Sequence, residues 1–453
     1  MCSPSCHSTW SVNRRTEVVP LLLMPVFVVG CSLIVPEIEF IHCQADLDCY
    51  ALSSDKPFDC WICDRSRMGG TCIPALTVEP AQTLDITGPP VARMNAFTAA
   101  GKVTLVAEQD PVPGSSVTAS VAAQLRSDFT LAPLPLFGGD SVISQLAVAA
   151  DADLDWCLGV DHQGDRDGHL CLGRCDDSAC PRLCSECSGA RRPSLAIRRC
   201  RTPGGSCETL SAYLDQRSAR VAALWSAVDG RAQPVSLPET LDPACPPVVL
   251  RVEREDKTHF VIASAQRGHD TPWLGLIDAD NAGRPELVEP QTEQTDVGGA
   301  RVSALAGAAA EGSDANGEFL LAWVVADAGQ YRLFATHNAW LGDDRVRLLR
   351  PVVERPLNAE SVVTVAFARF GIRAVSSPGP GGWSITFRDG GQAMALRIDR
   401  AVDAQRAVQP EHMKSAGHED FLVAANPAGR ESTAPFVYID RAEGRARFYG
   451  CKQ

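Results

Sequence analysis

The sequence predicts an all-β protein made of repeated antiparallel meanders. Short runs of β-branched and aliphatic residues alternate with turn residues, and no amphipathic segment of helical period is long enough to predict a helix. Trp383, Ile385 and Phe387 alternate with polar residues, which predicts a half-buried strand. Residues 319–325 are apolar on both faces and therefore predict an inner strand that is covered on both sides.

A meander of three strands and two turns recurs along the chain. Its clearest copy covers residues 301–336. Copies begin near positions 91, 142, 247, 301, 362 and 421, so all but one of the steps are about 50 to 60 residues long. The exceptional step, from 142 to 247, predicts one repeat plus a cysteine-rich insertion, which we place at residues 157–207.

Repeated antiparallel meanders of this length resemble β-propellers, whose blades are four-stranded sheets arranged radially so that few strand edges stay exposed. The resemblance covers residues 91–453 and is one of outline, because the chain has no Trp-Asp signature, kelch signature or Asp-box. It implies a β-propeller-like domain of six to eight blades, with the last blade completed by a strand from the other terminus. Tandem β-sandwiches are the alternative architecture.

The N-terminal residues have the layout of a bacterial export signal. Arg14 and Arg15 precede an uncharged apolar run at 18–30, which is too short to cross a hydrocarbon core of about 30 Å. The run ends in Val-Val-Gly before Cys31, a sequence that resembles the lipobox of bacterial lipoproteins. The resemblance implies cleavage before Cys31, lipidation of its thiol and, because Ser32 follows, sorting to the outer membrane. The alternative is a plain cleaved signal in which Cys31 is one more disulfide partner.

The export signal predicts how the chain is divided into segments and where the mature protein is located. We expect a signal peptide at 1–30, a tether and disulfide-rich segment at 31–90, and the propeller-like domain at 91–453. Several acyl chains, each methylene contributing about 0.8 kcal/mol, would hold the protein to a membrane. The unusually long segment before the arginines also fits a start codon assigned too early.

Fifteen cysteines remain when Cys2, Cys6 and Cys31 are set aside from the eighteen of the whole chain. Clusters at short irregular spacing in an exported chain predict disulfide-tied loops. The disulfide candidates are Cys43, Cys49, Cys60, Cys63, Cys72, Cys157, Cys171, Cys175, Cys180, Cys184, Cys187, Cys200, Cys207, Cys245 and Cys451. Because fifteen is odd, either one thiol is unpaired or Cys31 is the missing partner. We also predict that Cys451 fastens the final strand through a disulfide to Cys72 or Cys245.

Two Cys-x-x-Cys motifs are also compatible with redox activity or with zinc binding. Cys60 and Cys63 flank Trp61, a pattern similar to thioredoxin-type redox sites, although no βαβ pattern surrounds it. Together with Cys184 and Cys187 they would also suit a tetrahedral zinc site. An oxidising compartment favours structural disulfides over both alternatives.

An acidic stretch borders the second cysteine cluster. Asp161, Asp165 and Asp167 precede a glycine in a loop of the kind that cages calcium through oxygen ligands. The stretch looks like the acidic, cysteine-punctuated repeats of some secreted bacterial metal-binding proteins. A solvated acidic loop without a cation is the alternative, and no other cofactor is predicted. The nearby His162 and His169 are expected to be exposed loop residues.

Charge and motifs narrow the function classes. The net charge is −13 and the chain has no basic run, so nucleic acid is not expected as a partner. The Gly-x-Ser-x-Gly, His-Glu-x-x-His and Gly-x-x-x-x-Gly-Lys motifs are all missing from the sequence. We therefore predict a lipid-anchored binding or scaffold module without enzymatic activity, with envelope proteins or glycans as partners. The alternative is an extracytoplasmic glycan hydrolase or lyase with paired carboxylates of raised pKa at a channel mouth.

Overall fold

The structure is a computed structural model, and part of the chain is described in it. The described residues are 60–64, 71–75, 83–84, 91–99, 101–109, 119–126, 130–137, 142–151, 154–162, 167–178, 180–184, 187–198, 207–226, 232–255, 257–278, 286–288, 300–312, 315–341, 346–369, 381–400, 411–413, 421–425, 436–442 and 445–449. The predicted signal peptide and Cys31 lie outside them. Within these ranges no helix is long and apolar enough to cross a bilayer.

Seven sheets follow one another along this part of the chain, each a meander of antiparallel strands. The first three blades contain β4 (Val91–Ala99), β5 (Lys102–Gln109), β6 (Ala119–Leu125), β7 (Leu131–Leu134); β8 (Ile143–Asp151), β9 (Leu154–Asp161), β10 (His169–Arg174); and β11 (Ala190–Ile197), β12 (Thr209–Asp215), β13 (Arg220–Ser226), β14 (Ala232–Val235). The next two contain β15 (Val248–Arg254), β16 (Lys257–Ser264), β17 (Trp273–Asp278), β18 (Glu286–Val288); and β19 (Arg301–Ala309), β20 (Glu318–Asp327), β21 (Gln330–Trp340), β22 (Val346–Leu357). The last two contain β23 (Val363–Arg369), β24 (Gly381–Asp389), β25 (Gln392–Asp399), β26 (Glu411–Met413); and β27 (Phe421–Ala425), β28 (Phe436–Ala442), β29 (Arg445–Tyr449) with β3 (Thr83–Leu84). A separate hairpin pairs β1 (Cys60–Asp64) with β2 (Thr71–Ala75).

The first strand of each sheet lies at the centre of the ring of sheets. These inner strands contact one another in order, from β4 to β8, β11, β15, β19, β23 and β27, and β27 contacts β4 again. A closed ring of radially arranged meanders is a β-propeller, so the predicted fold class is confirmed. The seven blades fall inside the predicted range of six to eight.

The last blade is completed by a strand from the start of the domain. The outermost strand β29 pairs antiparallel with β3, with Ala446 opposite Leu84 and Arg447 opposite Thr83. This pairing joins the two ends of the ring, as the sequence predicted. Cys451, the predicted covalent fastening of this strand, lies outside the described residues.

The predicted insertion at 157–207 is wrong. Residues 142–247 contain two blades, because β8 to β10 form one sheet and β11 to β14 form the next. The cysteine cluster supplies the outer edge of the second blade. Residues 181–184 and 187–188 lie along β10, where the Leu183 N–H donates to the Leu170 carbonyl and the Leu170 N–H donates to the Cys187 carbonyl, both over 3.0 Å. The fourth strand position is thus filled by an irregular segment.

Apolar clusters fill the spaces between neighbouring blades. Trp323 of the fifth blade and Val261 of the fourth share one cluster, and burying a side chain such as Val261 contributes about 1.5–3 kcal/mol. Residues 319–325 belong to β20, the second strand of the fifth blade, and all of them are buried, so the predicted burial of this segment on both faces is confirmed. The predicted half-buried strand at 383–387 is instead buried on both faces, since Ser384 and Thr386 are also fully buried. Their hydroxyls are satisfied by Tyr438 and Thr364, at 3.0 and 2.6 Å.

Candidate ligand site at the mouth of the central channel

The inner strands enclose a central cavity of about 1560 Å³. Small residues keep it open: β19 contributes Ala306, Gly307 and Ala308 to the wall. Gly307 is also required by packing within the blades, because a Cβ there would come within 2.7 Å of the side chain of Leu321, its partner on β20. We call the end of the cavity at which the inner strands begin the proximal mouth, and the other end the distal mouth.

Bulges distort the inner strands at the proximal mouth. The register with the second strand shifts near the start of four of them: β4, β8, β11 and β19. A bulge re-aims the side chains beside it, and bulges are enriched next to functional sites. In the first three blades Arg93, Gln145 and Arg192 lie at or beside these shifts, and all three line the cavity. The bulges thus present polar side chains at the mouth of a channel with a largely aliphatic wall.

Arg192 has the most distorted backbone of the three. Its φ is +48°, in the left-handed region that a non-glycine residue seldom adopts. The bulge is held across the blade boundary, because the Arg192 N–H donates to Oε1 of Gln145 over 2.6 Å. Pro193 follows directly, and proline in a strand is typical of a bulge. This backbone conformation leaves the Arg192 side chain exposed at the cavity.

The two arginines share one electrostatic environment. Burial lowers the pKa of Arg192, and the positive charge of Arg93 lowers that pKa further, while Glu108 and Cys245 act in the opposite direction. Glu108 lies opposite Arg93 in the β4–β5 register and is 9% exposed. Among the described residues, neither guanidinium forms an ion pair within 4.0 Å. The proximal mouth therefore holds two cationic side chains against one described carboxylate.

Cys245 lies close to this mouth and is a free, fully buried thiol. Its assignment as a disulfide candidate, and as the partner of Cys451, is wrong. The physical reason is its place in the apolar cluster between the fourth and fifth blades, where its Sγ lies 3.8 Å from the Pro246 carbonyl. Burial, and then Asp242, raise the pKa of the Cys245 thiol to about 12, although Arg192 and Arg301 act to lower it.

Three disulfides cross-link the second blade. Cys157 pairs with Cys175, Cys171 with Cys180, and Cys184 with Cys187, with Cα separations of 4.9, 5.4 and 5.4 Å. Cys207 is also disulfide-bonded. A zinc site that uses Cys184 and Cys187 is therefore wrong, because a thiolate already oxidised to a disulfide cannot bind the metal. Cys43, Cys49, Cys200 and Cys451, and the side chains of Cys60, Cys63 and Cys72, lie outside what the structure describes, so their pairing stays a prediction.

The predicted calcium ligands have different surroundings. Asp161 is 2% exposed; its Oδ1 accepts from the Val142 N–H over 3.2 Å, and its Oδ2 lies 3.7 Å from Nε2 of His169. Asp167 is exposed and pairs with Arg217 over 2.7 Å. Asp165 lies outside the described residues, and among those described no three acidic, histidine or cysteine side chains are grouped as metal ligands would be. Calcium binding here stays a prediction.

The two histidines of this region are not exposed, contrary to expectation. His169 is 9% exposed, and His162 is half-buried with its Nε2 2.9 Å from Oγ of Ser144. A serine hydroxyl beside a histidine is the geometry of an activated nucleophile. Ser144, however, is 6% exposed, its Oγ also donates to the Val160 carbonyl, and it is not part of the cavity wall. The pair therefore ties β8 to β9 rather than facing a substrate.

A charged network that the sequence did not reveal joins the fifth and sixth blades. Glu318 accepts two hydrogen bonds from Arg400, from Nε and Nη2, and a third from Nε2 of His337, each 2.9 Å long. Burial alone would raise the pKa of the Glu318 carboxyl, but the hydrogen bonds from His337 and Arg400 hold it below its usual value. Trp383 packs against His337 with ring centroids 4.7 Å apart. The network lies between blades and is not part of the cavity wall.

The described carboxylates of the cavity wall are unevenly distributed. Glu108 is at the proximal mouth, whereas Glu253, Glu255 and Glu311 are at the distal one. Glu253 is hydrogen-bonded to Arg251 and accepts from the Gly312 N–H over 3.3 Å. Among the described residues the proximal mouth thus lacks the carboxylate pair that glycoside hydrolysis needs.

Comparisons with known proteins return likenesses of fold only. No protein-family model and no curated protein sequence matches the chain. A mutant of the Aleuria aurantia lectin in complex with Fucα1-6GlcNAc aligns at 8% identity and TM-score 0.41, over 78% of this chain and 88% of the lectin. A mutant of AofleA from Arthrobotrys oligospora aligns at 7% identity and TM-score 0.40, over 78% and 93%. Fructofuranosidase from Schwanniomyces occidentalis with bound fructose aligns at 9% identity and TM-score 0.33, over 80% and 88%. At such identities and TM-scores, the sugars in those structures do not identify a ligand for this protein.

Proposed function

We propose that this protein is an exported glycan-binding module whose ligand enters the proximal mouth of the propeller channel. The observation that carries the proposal is the set of bulges that aim Arg93, Gln145 and Arg192 at the cavity. Hydrogen-bond donors converging on an enclosed space are the usual basis of small-ligand specificity. With one described carboxylate at this mouth, the arrangement supports binding rather than hydrolysis.

Export and lipid anchoring belong to the same proposal. They are supported by the leader that ends at Cys31 and by the disulfides of the second blade, which form in oxidising compartments. Mass spectrometry of the N-terminal peptide from the native host tests the anchor. A diacylglyceryl-modified Cys31 at the mature terminus is expected, and a mature terminus at another residue would contradict it.

The binding site is tested by narrowing the mouth. Val362 lines the cavity and is 61% exposed, so a Val362→Trp substitution places a bulky indole at the mouth without disturbing the core. Leu348 is 54% exposed on the outer strand of the fifth blade, and Leu348→Trp is the matched control. On a glycan array we expect the wild type and Leu348→Trp to retain the same glycans and Val362→Trp to lose them. Equal retention by all three proteins would contradict the proposal.

Glycan hydrolysis is the second candidate, and it rests on the distal mouth. Glu253, Glu255 and Glu311 line that end of the cavity, and a hydrolase needs two carboxylates on either side of the scissile bond. Incubation with a panel of polysaccharides, followed by a reducing-sugar assay, tests this activity. Release of sugar that is abolished in Glu253→Gln or Glu311→Gln would favour the enzyme.

A further inference from the structure

We propose that the proximal mouth selects saccharides that carry an isolated carboxylate, such as a uronic acid residue, over neutral saccharides and over polyanions. This inference rests on the proposed binding function and specifies its ligand class. It follows from three properties of the mouth: the charge of the two arginines, the orientation of the Gln145 amide, and the difference in net charge between this mouth and the chain as a whole.

The arginines provide a cationic site without a described partner. Arg93 and Arg192 come from blades one and three, line the same cavity and form no ion pair among the described residues. They lie close enough for the charge of Arg93 to lower the pKa of Arg192. A carboxylate bound between them would relieve this repulsion and accept charge-assisted hydrogen bonds from both guanidinium groups.

Gln145 is oriented as an additional donor. The orientation of its amide is set by the Arg192 N–H, which donates to Oε1 over 2.6 Å. The amide NH₂ is thereby directed away from that bond, and no hydrogen bond from it to another described residue is present. An NH₂ group beside two guanidinium groups suits a carboxylate next to ring hydroxyls, because all three groups can donate to oxygen.

The charge balance favours a single anionic group. The charged side chains that the structure describes in the wall at this mouth, Arg93, Arg192 and Glu108, sum to +1, whereas the chain as a whole carries −13. A ligand with one carboxylate on an otherwise neutral molecule is attracted to the positive charge of the mouth. Its neutral part is not repelled by the negative charge of the chain. An acidic peptide or a polysulfated chain would be disfavoured by the net negative charge of the chain as a whole.

The size of the cavity is consistent with a saccharide. Its volume of about 1560 Å³ exceeds the roughly 300–1,000 Å³ of sites for single small molecules, so it can hold more than one sugar ring. The wall beyond the mouth is largely aliphatic, with surface such as that of Val365 and Leu422.

The test measures binding of three hexuronic acids (glucuronic, galacturonic and mannuronic acid), their methyl esters and the parent hexoses by titration calorimetry at millimolar concentration. The disulfide-intact protein is used. We expect at least one uronic acid to bind, with its ester and hexose at least about tenfold weaker, because a charge-assisted hydrogen bond is roughly twice as strong as a neutral one. Arg93→Gln and Arg192→Gln are each expected to weaken uronate binding by about tenfold or more. Arg191→Gln removes the same charge from the adjacent exposed residue, which is not part of the cavity wall, and is expected to change affinity less than about twofold.

The outcomes separate this inference from the function on which it rests. Equal binding of acid, ester and hexose that is lost in Val362→Trp would overturn the carboxylate inference and leave the binding module intact. Tighter binding of polyglutamate or heparin than of any uronic acid would overturn the saccharide class. Failure of all three uronic acids to bind also overturns the inference. Uronate binding that Val362→Trp does not change would place the site elsewhere and overturn both.

Discussion

Arg400 of the sixth blade holds Glu318 of the fifth through two parallel hydrogen bonds of 2.9 Å. The guanidinium is 1% exposed and the carboxylate 11%, so neither charge is solvated by bulk water. A bidentate arginine–carboxylate pair also fixes the relative position of the two groups. The pair thus acts as a polar tie in an otherwise apolar boundary between blades.

Breaking this tie is expected to destabilise the protein strongly. Arg400→Ala leaves Glu318 buried with His337 as its remaining described partner, and removing one member of a buried pair costs about 3–5 kcal/mol. Arg220→Ala is the control, because the Arg220–Glu239 pair is 56% and 76% exposed and such pairs contribute about 0–1 kcal/mol. Urea unfolding followed by tryptophan fluorescence measures both changes. Equal losses in the two variants would contradict the assigned role.

The same network makes stability depend on acid. The pKa of Glu318 is lower in the folded protein than its usual value of 4.5, so the unfolded chain takes up the proton first as the pH falls. Its contribution is therefore fully present above about pH 4.5 and declines as the pH falls towards the folded pKa. Urea unfolding as a function of pH should show this decline in the wild type and a shallower one in Glu318→Gln. A Glu239→Gln variant, altered at an exposed carboxylate, should follow the wild type.

The disulfides of the second blade should stabilise it in proportion to the loops that they close. Cys157 and Cys175 are 18 positions apart, and Cys184 and Cys187 only 3. Loop-closure entropy then predicts a loss of about 3 kcal/mol for the double alanine variant of the first pair and about 1.5 kcal/mol for the second. Thermal unfolding of the two double variants measures the difference. The loop-entropy explanation fails if the 184/187 variant is the less stable.

Cys245 should resist modification while the protein is folded. Its thiol is fully buried, and burial raises its pKa to about 12, so almost no thiolate is present at pH 8. Labelling with iodoacetamide, read by mass spectrometry of the peptide, should be slow in buffer and rapid in denaturant. Labelling at the denatured rate in the native protein would show that the thiol is accessible.

The pattern of apolar residues predicted most of the fold but missed one blade. Six inner strands begin within a residue or two of the predicted repeat starts, because each begins with an aliphatic or alternating run. The inner strand of the third blade, β11, has the sequence ARRPSLAI, in which Pro193 interrupts the strand and two arginines replace apolar residues. Because of this bulge, the strand lacks the regular pattern of apolar residues by which the other inner strands were predicted.

The candidate site could be predicted only in part for the same reason. The direction of the Arg93 and Arg192 side chains depends on register shifts between strands, which are set by the assembled sheet rather than by local propensity. The Arg-Pro pair at 192–193 is a local signal by which the bulge could have been predicted, because proline within a strand is typical of one. Glu318 and Arg400 are 82 residues apart, and neither lies in a recognisable motif. Contacts between blades therefore could not be predicted from the repeat pattern of the sequence.

Closure of the ring by β3 leads to the last prediction. Without β3, the edge of β29 would lose the pairing that two residue pairs now provide, at Leu84–Ala446 and Thr83–Arg447. A net contribution of about 0.5–1.5 kcal/mol per hydrogen bond predicts a loss of roughly 1–3 kcal/mol when residues up to 90 are deleted. Deletion up to residue 75 removes the β1–β2 hairpin but retains β3, and serves as the control. Urea unfolding of the two truncated proteins, together with limited proteolysis at residues 443–453, measures the effect of residues 76–90, the segment that contains β3. If both truncations are equally stable and equally resistant to protease, the β3–β29 pairing does not fasten the ring.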